Sequence, residues 1–380
     1  MSPISATSSS DFTITYTGAA AITLASGDIN LSGNTTGCTP SVSGSGTATR
    51  TVSITGCSVA SGSVTFTISA NSATDSLGNQ AAASGTSSSL SIVNTFGQIG
   101  NSFSKGARYY EDNITALDSS TIALVDVDNT ELRTYSWDGT DWTQVGNALD
   151  LSTGGSAVYS AGITTLNSTT IAYVEEHHDQ IRTYTWDGTN WSQVGNSFTM
   201  PSPPVSPTIT ALDSNTIALI DGSYRQLRTY SFDGTDWAQV GNHLAIGLAV
   251  EPSIAAINST TIAYADISNE HLRAYGWDGT DWSQISGNAG LGTLDNVAIT
   301  KISSTQIAVA REYTGDNSQD DIRAYTWNGS NWSLTGTTLK IPGLRMPRMT
   351  SLDSSTIVFT DGASGGGGGL QEIRTYNFSP

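Results

Sequence analysis

The sequence predicts an all-β chain, a β-sandwich over residues 1–94 followed by a six-bladed β-propeller over residues 95–380. Three observations predict it. Apolar residues alternate with polar ones at period two in short runs separated by Gly, Ser and Asn, the signature of half-buried strands. A hairpin motif recurs at blade-length intervals from residue 133 onward. An unpaired copy of the motif's last strand stands ahead of the first repeat, and the final repeat lacks that strand.

Residues 1–94 contain "FTITYTG", "AITLA", "DINLSG", "TRTVSITG", "SVTFTIS" and "SLSIV", six or seven strands whose density suits an Ig-like sandwich. Cys38 and Cys57 lie 19 residues apart here. Paired cysteines in so small a β-domain point to one disulfide and export, with two buried thiols as the alternative. The opening "MSPISATSSS" has no basic or apolar signal segment, so the chain is expected to begin inside a longer protein. "FTITYTGAAAITLASGDINLSG" and "ANSATDSLGNQAA" resemble the bacterial Ig-like domains strung along large surface proteins. That resemblance implies a spacer, and it makes Asp75 either a calcium ligand or a turn former.

From residue 95 the motif arginine falls at 133, 182, 228, 273, 323 and 374, with spacings of 49, 46, 45, 50 and 51. Each unit reads as four strands, typified by "ITAL", "TIALVD", "LRTYSW" and "DWTQVGN". The sixth unit ends at "IRTYNFSP", while "FGQIGNSF" (96–103) aligns with "WTQVGNAL". Residues 96–103 are therefore expected to serve as the outer strand of the last blade and close the ring, which removes open sheet edges.

Within the motif, Asp138-Gly139 and its counterparts predict a two-residue type I′ hairpin. That turn places Tyr135 opposite Trp142 and Arg133 opposite Gln144, a cross-strand aromatic cluster cementing the blades. The blade resembles those of the six-bladed fucose-binding lectins, which share a "WDGxxW" hairpin. Their sugar sites use an arginine on the second strand and a glutamate just before the hairpin. Here those places hold "IALVD" and Thr134, Tyr135 and Ser136, so the scaffold likeness stands without the fucose residues. "SWDGTDW" is also similar to the sialidase Asp-box, one residue short, a structural turn in that family.

Function is expected on the opposite edge, where the connections from second to third strand and from blade to blade differ. His177, His178, Tyr224, Arg225, Glu270, His271, Arg311, Glu312 and Tyr313 are the distinctive side chains there and the candidate ligand-binding residues. The acids ending the second strands (Asp126, Glu175, Asp221, Asp266, Asp361) recur in five of six blades, which suggests pairing with the motif arginine or capping of backbone amides. No cofactor is expected, although Asp128 and Glu131 beside Asp126 admit a calcium site. With 33 acids against 15 basic residues and a formal charge of -18, nucleic acid and anionic membranes are excluded as partners. Apolar runs are strand-sized, which excludes membrane insertion by a helix. No phosphate loop, metal motif or nucleophile elbow is present. The expectation is a non-enzymatic, extracellular or cell-surface bacterial module that binds a glycan or a surface protein. A structural module of a fibre, associating with its own copies, and a carbohydrate-active enzyme are the alternatives.

Overall fold

The computed structural model describes residues 10–33, 35, 38–55, 61–93, 97–104, 112–152, 158, 160–201, 205–221, 225–247, 252–315, 317–362 and 372–377. Two compact units result, the first made chiefly of Met1–Phe96 and the second of Gly97–Leu334 with Thr338–Asn377. No helix among the described residues is long and apolar enough to cross a membrane.

In the first unit Ser10–Thr15, Thr49–Thr55 and Thr39–Ser43 form one antiparallel sheet. Ile29–Gly33, Ser61–Ile68 and Leu90–Val93 form a second. Ala19–Ile22 pairs with Ala73–Asp75 as a short ribbon. Alternation places Val52 and Ile54 from one sheet and Val64, Phe66 and Ile68 from the other in a single apolar cluster. Phe12 meets Phe66 edge to face at 4.9 Å across it. Cys38 packs on the margin of this core, and Cys57 lies outside the described residues. Asp75 is a turn former: its carboxylate accepts the backbone amides of Leu77 (2.8 Å) and Asn79 (2.9 Å). Those bonds and the Asn79 side chain hold its pKa below the ordinary value.

The second unit contains, among the described residues, six antiparallel sheets built on four strands in chain order. The first sheet consists of Asn113–Ala116, Thr121–Asp126, Glu131–Trp137 and Trp142–Asp150. In the fourth sheet the outer strand is broken into Trp282–Gln284 and Ala289–Gly290, where the motif carries one extra residue. The sixth takes its outer strand from the start of the unit: Gly97–Ser104 pairs with Glu372–Asn377, Gln98 opposite Tyr376. The first strands of the six sheets adjoin one another in a closed cycle. Second strands such as Thr121–Asp126 are buried along nearly their whole length, which is why "TIALVD" and its relatives read as continuous apolar runs.

The hairpin differs from the two-residue turn expected. Trp137 pairs with Trp142 and Tyr135 with Gln144, so the loop is four residues, 138–141. The Asp138 carboxylate causes the difference by accepting the amides of Thr140 and Asp141, both at 2.8 Å, and positive φ is needed at Gly139 alone. Trp137 and Trp142 sit 5.2 Å apart. Four outer tryptophans, Trp142, Trp191, Trp237 and Trp282, also reach the preceding sheet: Trp191 Nε1 donates to Thr134 Oγ1 at 2.8 Å, and Trp142 to Thr375 at 2.8 Å. The "VGN" step bulges so that the Asn147 amide donates to the Thr189 carbonyl of the next hairpin at 2.8 Å. Gly146 permits that approach. With φ at +65°, a Cβ there would lie 2.3 Å from the Trp186 ring and 2.4 Å from the Thr189 oxygen. The motif's tryptophans, turn and glycine are therefore engaged in joining sheet to sheet.

Candidate ligand-binding edge

On the other edge the acid ending the second strand faces the motif arginine in the first, second, fourth and sixth sheets. Arg133 lies 3.5 Å from Asp126, Arg182 3.1 Å from Glu175, Arg273 3.8 Å from Asp266 and Arg374 3.6 Å from Asp361. A buried carboxylate needs such a partner or hydrogen bonds to stay charged. Asp126 and Asp266 also cap the following turn, accepting the amides of Asn129 (3.1 Å) and Asn269 (2.6 Å). Asp126 and Glu131, two of the three acids considered as a calcium cradle, both face Arg133, Glu131 at 2.7 Å.

The same turns end on a left-handed residue: Thr130, Asp179, Arg225 and Glu270, with φ of 56–58°. The carbonyls of these residues accept the amides of Leu151, Met200, Ile246 and Leu291 at 2.7–2.9 Å, which anchors the start of each sheet-to-sheet connection. Arg225 and Glu270, chosen from sequence for their side chains, thus occupy a backbone position that all four sheets share.

The candidate residues fall on four different sheets. His177 is exposed and meets the His178 ring edge to face at 4.7 Å. His178 Nδ1 lies 2.6 Å from Glu175 Oε1, so this histidine and Arg182 share one fully buried carboxylate. Arg225 is exposed, and Glu270 and His271 are half-buried. Tyr224 lies outside the described residues. Arg311 and Glu312, expected at the surface, are buried. Arg311 makes a two-pronged bond to Asp321, both at 2.8 Å, and donates to the Leu291 carbonyl. Glu312 holds Arg345 at 2.6 Å and the Met346 amide at 2.8 Å. Tyr313 lies under the Arg311 guanidinium at 4.9 Å. Burial pushes the Asp320 pKa up, yet both its oxygens accept backbone amides, from Tyr313 and Gly343. All of this fastens the fifth sheet together.

Open space on this edge lies between the first and second sheets, as a groove of about 490 Å³. One wall is Leu149 to Ser152. The other is Gln180, Arg182 and Tyr184 on the third strand of the second sheet, with Gln193 and Ser197 on the fourth. Gln180 holds Arg182 at 2.8 Å, and Gln193 donates to Ser197 Oγ at 3.2 Å. The exposed amide and hydroxyl groups keep further donor and acceptor capacity, and Tyr184 and Leu151 supply apolar surface. Sequence reasoning passed over Gln180 and Gln193 because it assigned the whole motif to the scaffold. The signal was the alternation of Gln180, Arg182 and Tyr184, which puts three large side chains on one face of a strand.

No protein-family model matches the chain, and no curated protein matches it in sequence. Among solved structures it is similar to a structural-genomics protein from Bacteroides thetaiotaomicron VPI-5482, at 10% identity over 92% of this chain and 90% of the other, with a TM-score of 0.53. Streptogramin B lyase matches at 11% identity over 75% of this chain and 98% of its own, TM-score 0.46. YCF48 bound to D1 peptide matches at 15% over 74% and 94%, TM-score 0.44. At these identities the likeness speaks of the fold alone. The larger unit is a β-propeller.

Proposed function

We propose that the chain is a non-enzymatic binding module of an exported bacterial surface protein. In this reading a six-bladed propeller holds a glycan on its variable edge, and an Ig-like domain, closed by a Cys38–Cys57 disulfide, serves as spacer. The groove between the first and second sheets carries the reading. Its 490 Å³ falls within the roughly 300–1,000 Å³ of small-ligand sites. Its wall combines amides, hydroxyls, the Asp150 carboxylate and an arginine already paired with Glu175, a set that suits a neutral hydroxylated ligand better than an anion. Pairing of Asp126, Glu175, Asp266 and Asp361 with arginines favours binding over glycoside hydrolysis, which needs a free proton donor beside a second carboxylate.

The test is a glycan array probed with the full chain and with Gln193→Ala. Gln193 is exposed, so the fold should be kept while a glycan signal falls about tenfold, the scale of one or two lost hydrogen bonds. An unchanged signal in the variant would move the site elsewhere. No glycan signal, with ordered polymers of the purified chain in its place, would favour the structural alternative.

A further inference from the structure

The first strands of the propeller enclose an axial channel of about 280 Å³. Thr115, Thr164, Thr300 and Thr350 line it and are each at least nine-tenths buried; Thr210 joins them. Four of these hydroxyls accept a backbone amide from the neighbouring sheet: Thr115 from Thr165 at 3.1 Å, Thr164 from Ala211 at 3.0 Å, Thr210 from Ala256 at 2.9 Å and Thr350 from Ala116 at 2.9 Å; Thr115 also shares a bond with the Thr165 hydroxyl at 2.8 Å. A hydroxyl that accepts still has one proton to donate. Among the described residues no acceptor faces the protons of Thr164, Thr210 and Thr350, so three donors are left in a confined space.

Lys301, the last residue of the fifth sheet's first strand, lines the same channel. Among the described residues it has no carboxylate partner, whereas Lys340 lies 3.4 Å from Asp321. No acid is among the residues that line the channel. The turns that follow the first strands do carry Asp118, Asp213 and Asp353. Each of these is turned onto an amide of its own loop, at Ser120 (2.7 Å), Asn215 (2.8 Å) and Ser355 (2.6 Å).

We propose that the axial channel is a site for a small oxyanion, a carboxylate or an inorganic phosphate. The uncommitted hydroxyl protons of Thr164, Thr210 and Thr350 orient it, and the Lys301 ammonium supplies the opposing charge. Charge-assisted bonds of this type are about twice as strong as neutral ones, and they act here in a chain whose formal charge of -18 repels anions elsewhere. The channel has room for an ion of that size with a few waters, each needing roughly 30 Å³.

The experiment titrates acetate, phosphate and chloride separately into the full chain at fixed ionic strength, read by thermal denaturation and calorimetry. Acetate or phosphate should raise the melting temperature saturably, and the stronger of the two identifies the oxyanion class. Lys301→Met should weaken that binding about tenfold or more, the scale of one charged hydrogen bond. Lys301 is exposed, so its far-UV spectrum and anion-free melting temperature should match the parent, and Lys301→Arg should retain binding. Equal responses in parent and Lys301→Met, no saturation, or saturation by chloride alone would overturn the proposal.

Discussion

In the second sheet one buried acid, Glu175, answers Arg182 and His178, and the surface beside them stays open as a groove. In the fifth sheet Asp321 answers Arg311, Arg323 and Lys340 together. Around it Glu312 grips Arg345, and Tyr313 lies under Arg311. The two sheets share a backbone plan and a motif arginine, yet one uses its charges to line a space and the other to fill one. Distinctive residues on a variable edge are therefore poor guides to binding by themselves. What separates the cases is whether open space remains beside the matched charges.

The largest test of that contrast is charge removal. Asp321→Asn leaves two arginines and a lysine around a neutral amide in a site with no solvent exposure at the acid. Breaking a buried pair of this type costs about 3–5 kcal/mol, so urea or thermal unfolding should show a severe loss. Glu175→Gln leaves one largely buried arginine and a partly exposed histidine and should cost visibly less. Equal losses would mean that the fifth sheet's network is no more demanding than the second's pair.

Much of this architecture could be read in the sequence. The arginine spacing and the orphan "FGQIGNSF" specified the repeat and the strand that pairs with Glu372–Asn377, because strand periodicity and motif alignment are local signals. The register of the hairpin was not legible. Asp138-Gly139 favours a two-residue turn, but the Asp138 carboxylate also captures two amides further on, and that capture decides the loop length. The groove was hidden for another reason. It arises where Leu149 to Ser152 of one repeat face Gln180 and Arg182 of the next, a juxtaposition set by the ring and not by either segment. Arg311 and Glu312 looked exposed because blade-to-blade variation was read as surface variation, whereas their partners are equally particular to this part of the chain, Asp321 in the same sheet and Arg345 in the connection that follows it.

A smaller contrast concerns the outer tryptophans. Trp191 of the second sheet donates its indole N–H to Thr134 of the first, at 2.8 Å, and Trp237 and Trp282 likewise reach Thr183 and Thr229. The fifth sheet's Trp332 has a buried Nε1 with no acceptor among the described residues. At the position that would meet it the fourth sheet supplies Ala274, where the sheets that bond the other four outer tryptophans supply Thr375, Thr134, Thr183 and Thr229. Ala274→Thr should restore the bond and add about 1 kcal/mol, which in a chain of this size raises the melting temperature by about 2 °C. A variant no more stable than the parent would show that the indole already has a partner, such as an ordered water.

The smallest contrast lies in the hairpin loops. In the second sheet Asp187 accepts the amides of Asn190 (2.7 Å) and Thr189 (2.8 Å), and these bonds hold its pKa below 3.8. Asn328 makes the equivalent bonds in the fifth sheet with a neutral amide oxygen, to Ser330 at 3.0 Å and Asn331 at 2.8 Å. A carboxyl with a depressed folded pKa contributes stability that is present above its unfolded pKa and is lost as pH falls through the folded value. The second sheet's loop should therefore weaken in acid below about pH 4, where carboxylates protonate, while the fifth's should not. Asp187→Asn gives the second sheet the fifth's chemistry. Its melting temperature, followed from pH 5 to pH 2.5, should fall less steeply than the parent's. Because the loop is exposed, added salt should narrow the difference. Parallel acid limbs for the two proteins would show that protonation of this loop plays no part in acid unfolding.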